Sequence, residues 1–376
     1  MKAQLPNPAF ILYEDRLRKN LELIRSVMEA TGVDVILALK AFAYWPAFPI
    51  IGEYLSGATA SSLHEALLIE EHLGRKPHTY APAYQPQEIE QLVGISAHLT
   101  FNSLNELERY RPVWASAGLS VGLRVNPEYS PVETDLYNPA DRYGRLGETL
   151  PNLPSRPPKG LQGLHVHTLC ESTAAQTATL IERIEAQFGH YLNKLEWLNL
   201  GGGHLMTKPG YDLPLLIESL RGLGRRRPHL KIVMEPGSAV VWNAGELRAR
   251  VLDVIENYGR RTAILNASFT CHMPDTLEMP YRPEVRGASS EANDTGYPYR
   301  LGGVSCLAGD YLDDYYFTQP LLPGDEIVFA DMAHYTTVKT TQFNGVGHPD
   351  LVLVDRNGQI THHRQFGFRD YESRMG

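Results

Sequence analysis

Short apolar runs recur along roughly the first 240 residues, and most are followed by a stretch in which apolar positions fall three or four apart. Ala9-Phe10-Ile11-Leu12-Tyr13 reads as a strand, and Leu17, Leu21, Ile24 and Met28 share one face of a helix from Glu14 onward. Further strands are expected at 35–43, 58–62, 79–81, 98–101, 119–126, 161–167, 197–200 and 231–234. Helices are expected near 46–55, 63–73, 86–93, 104–115 and 173–188. Strands alternating with amphipathic helices predict a parallel sheet, and about eight repeats predict a closed (β/α)8 TIM-like barrel rather than an open sheet. Past about residue 245 the period changes to two, at 246–257, 325–330 and 351–354. Turn signals punctuate that part: Pro323-Gly324-Asp325, Asn344-Gly345 and Asp355-Arg356-Asn357-Gly358. The expected fold is therefore α/β, with a barrel over 14–245 and a C-terminal antiparallel β domain over 246–376 that strand 8–13 could join.

Composition narrows the function. The 376 residues are 43% hydrophobic and 21% charged, as in an ordinary globular protein, and carry a formal charge of −8. An acidic balance argues against a nucleic-acid partner and slightly favours a cationic ligand. Three cysteines (Cys170, Cys271, Cys306) do not form a disulfide framework. No apolar run is long enough to span a membrane, and the first residues lack the apolar core of a signal peptide, so a cytoplasmic location is expected.

Chemistry enters at strand ends, where barrels place it. Lys40 interrupts the apolar run Val35–Ala43. A desolvated lysine amine has a lowered pKa, which Schiff-base chemistry requires; the competing reading is that the strand simply ends and Lys40 reaches water. His165 and His167 suit metal ligation, a ring stacked on a flat ligand, or ordinary packing. Gly201-Gly202-Gly203-His204 follows a strand and could close backbone N–H groups on a phosphate or be a plain turn; the dinucleotide fingerprint is absent. Glu235, in Met234-Glu235-Pro236-Gly237-Ser238, could keep a ring nitrogen protonated. Arg124 and Arg145 suit a phosphate, a charge network or a surface ion pair. Together these are the parts of a pyridoxal phosphate site: Lys40 for the aldehyde, Glu235 for the ring nitrogen, His167 for the ring face and Gly201–Gly203 for the phosphate. In a different class, His165, His167, His204 and Glu235 could hold zinc in a barrel hydrolase.

The same residues carry a resemblance. The sequence resembles the alanine-racemase-like, fold-type III family of pyridoxal phosphate decarboxylases, which includes ornithine and diaminopimelate decarboxylases. The matching parts are the lysine strand Leu37–Ala43, His167, Gly201–Gly203, Glu235–Gly237, Cys306-Leu307-Ala308-Gly309-Asp310, Ala333-His334-Tyr335 and Phe343-Asn344-Gly345. Residues 125–139, 167–171 and 270–283 are similar to the carboxynorspermidine (carboxyspermidine) decarboxylase branch. The resemblance implies decarboxylation of such substrates to norspermidine or spermidine in polyamine biosynthesis, with Lys40 and Cys306 catalytic. It implies cofactor contacts from Gly237, Ser238 and Tyr335, and a homodimer whose β domains complete the partner's sites. Asp275, Glu278 and Asp310 are candidates for the distal amines of the substrate. Ser238 departs from the ornithine decarboxylase pattern, where arginine stands, so one phosphate contact must come from elsewhere. A diaminopimelate or ornithine/arginine-type decarboxylase is the nearest alternative.

Overall fold

The computed structural model describes residues 5–292 and 294–376, which divide into two units: Arg18–Val240, and the residues up to Leu17 together with Val241–Gly376. The chain opens with β1 (Ala9–Tyr13), which belongs to the second of these.

The first unit is the barrel. Its strands are β2 (Asp34–Ala38), β3 (Gly57–Ala60), β4 (His78–Tyr80), β5 (His98–Phe101) and β6 (Ser120–Asn126), then, after the two-residue β7 (Glu148–Thr149), β8 (Leu161–His165), β9 (Trp197–Asn199) and β10 (Lys231–Met234). The eight long strands pair in parallel in that order, β7 adds to β6, and β10 returns to β2 with Val233 opposite Asp34, which closes the ring. Burial on both faces explains the continuous apolar runs. Helices start where side chains cap their first N–H groups. Ser62 accepts from Glu65 N–H, Ser103 from Glu106 N–H and Asp212 from Leu215 N–H, and Thr173 forms a capping box with Gln176. The helix expected over 104–115 is two, Leu104–Arg109 and Arg111–Ser116, since Pro112 supplies no N–H to continue the first. Strands also stop early: β2 at Ala38, β3 at Ala60 and β8 at His165.

The amino-terminal end of the barrel is filled by aromatic rings. The Trp197 indole lies across Gly163, where a Cβ would fall 1.9 Å from the ring, so only glycine fits. Trp197 Nε1 donates to Ser120 Oγ at 3.0 Å, and His98 Nδ1 lies 2.9 Å from the same hydroxyl. The His78 ring meets that of His98 edge-on, with centroids 4.3 Å apart.

The second unit holds β11 (Gly245–Asn257), β12 (Arg260–Leu265), β13 (Ala288–Ser289), β14 (Tyr297–Gly302), β15 (Tyr311–Phe317), β16 (Glu326–Ala330), β17 (Asp350–Val354) and β18 (Ile360–Arg364). The strand order is β13-β15-β14-β12-β11-β1-β17-β18, with β16 also on β11. The sheet is mixed rather than antiparallel: β1 runs parallel to β17, and β12 to β14. Neither parallel pair is joined by a tight turn, so hairpin geometry does not constrain its direction. β1 alternates as a strand must, with Phe10 packed among Leu247, Phe329 and Tyr299 while Ala9 and Ile11 meet Val352 and Val354. Among the described residues no helix is long and apolar enough to cross a membrane.

Candidate active site

Lys40 does not lie inside a strand. After β2 ends at Ala38, Ala41 N–H bonds back to the Ala38 carbonyl at 3.1 Å, and this turn carries Lys40 out at the barrel mouth. The side chain is exposed to solvent, yet its ammonium is ringed by protein. Loss of surrounding water, and then the Arg124 guanidinium, lower its pKa to about 8. The open side of the site limits how far that lowering can go. Lys40 Nζ lies 2.8 Å from His167 Nε2.

His167 stands two residues beyond β8, so it is not paired with His165 by strand alternation; the two rings are nevertheless 6.3 Å apart. The His167 carbonyl accepts from Arg124 Nη2 at 2.9 Å. Arg124 is buried and lies over the Tyr80 ring at 4.7 Å, while Tyr80 Oη donates to Asn102 Oδ1 at 2.8 Å. Of the readings open for Arg124, the structure selects a buried network; Arg145 offers its backbone carbonyl to Asn102 Nδ2 at 2.9 Å.

Glu235 directly follows β10 and is buried. Burial alone would raise its pKa, but the His165 ring and the Asn199 amide outweigh it and hold the carboxylate ionised, down at about 2. Asn199 Nδ2 donates to Glu235 Oε1 at 2.6 Å. His165 Nε2 is 3.4 Å from Glu235 Oε2, too far for a full hydrogen bond, and burial favours its neutral form. Asn199 escaped the sequence reading, although a polar residue inside the buried run Trp197–Leu200 was a visible signal.

The glycine loop differs from a free anion cradle. Gly201 N–H donates to Asn199 Oδ1 at 2.9 Å and Gly202 N–H to His167 Nδ1 at 2.8 Å. Two of the three N–H groups expected to face a phosphate are thus used within the chain. Gly202 is required because a Cβ there would lie 2.5 Å from the Glu235 carbonyl oxygen. Gly237 packs against Ala41, beside Lys40, and Ser238 opens the helical turn Ser238–Val241. His204 is buried with Nδ1 3.0 Å from Thr177 Oγ1, and among the described residues no three His, Cys, Asp or Glu side chains form a metal-binding group.

In the second unit, Cys306 is exposed beside Asn344, whose Oδ1 accepts the Cys306 N–H at 2.8 Å. Tyr335 takes a left-handed backbone conformation, φ 56°, at the start of the turn Thr336–Val338. Asp310 is buried and its oxygens accept from Ser268 Oγ, the Phe269, Thr270 and Ser305 N–H groups, and Ser305 Oγ. The carboxylate expected to face a substrate amine thus also organises its own loops. Asp275 and Glu278 come together, but around Lys339, whose Nζ donates to Asp275 Oδ1 and, at 2.7 Å, to Glu278 Oε2.

Within the barrel, an exposed amine of lowered pKa and a buried carboxylate held ionised are what an aldehyde-bearing, protonated pyridine needs, so these residues fit pyridoxal phosphate. Comparison with known proteins agrees. Residues 11–333 match the family model described as "Pyridoxal-dependent decarboxylase, C-terminal sheet domain". The chain is 48% identical to the carboxyaminopropylagmatine decarboxylase of Synechocystis, over 100% of this chain and 96% of that one. It is 40% identical to the carboxynorspermidine/carboxyspermidine decarboxylase of Campylobacter jejuni, over 99% of each. The crystal structure of carboxynorspermidine decarboxylase from Campylobacter jejuni, complexed with norspermidine, superposes with a TM-score of 0.92, covering 98% of this chain and 100% of that one at 39% identity. The match replaces the zinc hydrolase reading: this chain belongs to the pyridoxal-dependent decarboxylases.

Proposed function

We propose that the enzyme decarboxylates a carboxylated polyamine, with carboxynorspermidine and carboxyspermidine as first candidates. The full-length similarity to the Campylobacter jejuni proteins carries this reading. Diaminopimelate decarboxylases of known structure share the fold at 17–19% identity, which speaks to fold alone. A second reading, a guanidine-ended substrate, is favoured by the 48% identity to the Synechocystis enzyme. Asp275 and Glu278 already hold one internal cation, and paired carboxylates suit a planar guanidinium as well as an amine.

Bound pyridoxal phosphate supplies the electron sink for the pair left when carbon dioxide departs. Lys40 would hold the cofactor's aldehyde group. Glu235, kept ionised by Asn199 and His165, holds the proton on the pyridine nitrogen. His167 lies against the ring, and Gly203, Gly237, Ser238 and Tyr335 contribute to phosphate binding, with Gly201 and Gly202 shaping the loop. Cys306 returns a proton to the α-carbon. The enzyme is read as a cytoplasmic homodimer in which Cys306 serves the partner's site.

The deciding measurement is kcat/KM for carboxynorspermidine, carboxyspermidine, carboxyaminopropylagmatine, diaminopimelate and ornithine, with Asp275→Asn beside the parent. A carboxylated polyamine is expected to exceed the last two by tenfold or more. Diaminopimelate ends in a second carboxylate rather than a cation, and Asp275 with Glu278, which outnumber Lys339 two to one, disfavour it. A win for diaminopimelate or ornithine ends the polyamine assignment.

A further inference from the structure

We propose that the glycine loop sets the proton arrangement that keeps Lys40 a free amine: Gly202 N–H fixes the His167 tautomer, and His167 Nε2–H then holds Lys40 Nζ by its lone pair. The inference rests on the reading of Lys40 as the residue that captures the cofactor aldehyde.

The geometry leaves one consistent arrangement. Gly202 N–H points at His167 Nδ1 across 2.8 Å, so Nδ1 must present a lone pair. A neutral imidazole then carries its proton on Nε2. Nε2 lies 2.8 Å from Lys40 Nζ, and an N–H there needs an acceptor. An ammonium has no lone pair, whereas a free amine has one. The opposite tautomer would satisfy an ammonium but would aim an Nδ1–H at the Gly202 N–H. An imidazolium would fail at both contacts.

The charges around the pair favour the same state. His167 is kept neutral by burial, by Lys40 for as long as that amine is charged, and by the Arg124 guanidinium. Lys40 is pushed toward the free base by the crowding around it and by Arg124, against Glu235, Cys170 and Glu65. Gly202 cannot be replaced without a collision with the Glu235 carbonyl oxygen, so the tautomer-setting donor is fixed in place. His167 is thus a positioning residue for cofactor capture as well as a ring neighbour. In that step Lys40 Nζ forms a carbon–nitrogen double bond to the aldehyde carbon. The carbonyl oxygen leaves with both Nζ hydrogens as one water, and no oxidant or reductant is needed.

The test uses the full-length protein stripped of cofactor and follows the rate at which added pyridoxal phosphate is captured, read from its visible absorbance, between pH 6.5 and 10. Parent and His167→Phe are compared as a ratio, in which the ionisations of pyridoxal phosphate itself cancel. One hydrogen bond lost from the free amine should lower capture at pH 7 by about three- to tenfold relative to the high-pH ratio. A ratio that stays flat with pH would mean that His167 acts only as packing, and overturns the proposal. Should the phenylalanine variant fail to fold, His167→Gln and imidazole 15N NMR of the parent serve. The NMR is expected to show a bare Nδ1 and a protonated Nε2 once the pH passes about 8, where Lys40 becomes the free amine; the other tautomer, or an imidazolium, at that pH overturns the inference. Covalent capture that survives Lys40→Ala would instead remove the underlying reading of Lys40.

Discussion

Asn199 donates one side-chain hydrogen bond to Glu235 at 2.6 Å and accepts another from Gly201 N–H at 2.9 Å. A single amide therefore ties the buried Glu235 carboxylate to the glycine loop. Replacing Asn199 by leucine leaves Glu235 without its closest donor. A hydrogen bond to a charged group contributes about 1.5–3 kcal/mol, so kcat is expected to fall about 10- to 100-fold. The acid limb of the pH–rate profile should also move up, because the carboxylate loses a partner that lowers its pKa. An unchanged profile would mean that His165 alone sustains Glu235.

Asp310 offers a separation of stability from binding. Asp310→Ala strands five donors on two segments, those of Ser268 and Phe269 fully buried, and urea unfolding should register a loss of about 3 kcal/mol or more. A normal unfolding midpoint with a raised KM would instead make Asp310 a substrate ligand.

The barrel should be acid-sensitive. Burial holds His78 at about 3 and His98 at about 4, both below the ordinary imidazole value. As pH falls below about 6.5 the unfolded chain takes up these protons first, so stability drops through the window down to about 4 for His98 and about 3 for His78. Each adds up to about 1.4 kcal/mol per pH unit to the slope. His98→Gln should flatten the dependence of Tm on pH between 6.5 and 4 by one proton's worth; an unaltered slope would place the acid sensitivity elsewhere.

Lys40→Ala and Cys306→Ala proteins, each inactive, should recover about a quarter of parental activity after subunit exchange if each site draws on two chains. No recovery under verified exchange would mean that one chain holds a complete site.

Much of this was legible beforehand, for identifiable reasons. The eight barrel strands announced themselves because burial on both faces writes a continuous apolar run, and turn residues marked the β unit. Strand ends were less legible: β2 and β8 stop before Lys40 and His167, since apolar residues continue through the turns that follow. The Gly202–His167 bond joins residues 35 positions apart, and no local pattern encodes such a partner. Lys339 lies 64 residues from Asp275, so the cation already held there was equally invisible. The mixed direction of the β sheet escaped because alternation fixes a strand's faces and not its heading.

Trp197, with His78 and His98 beneath the site, makes the barrel a vessel with one door. Product cannot drain through that floor; it has to back out the way the substrate came in. Catalysis thereby becomes a matter of traffic, in which an accumulating product queues against its own precursor.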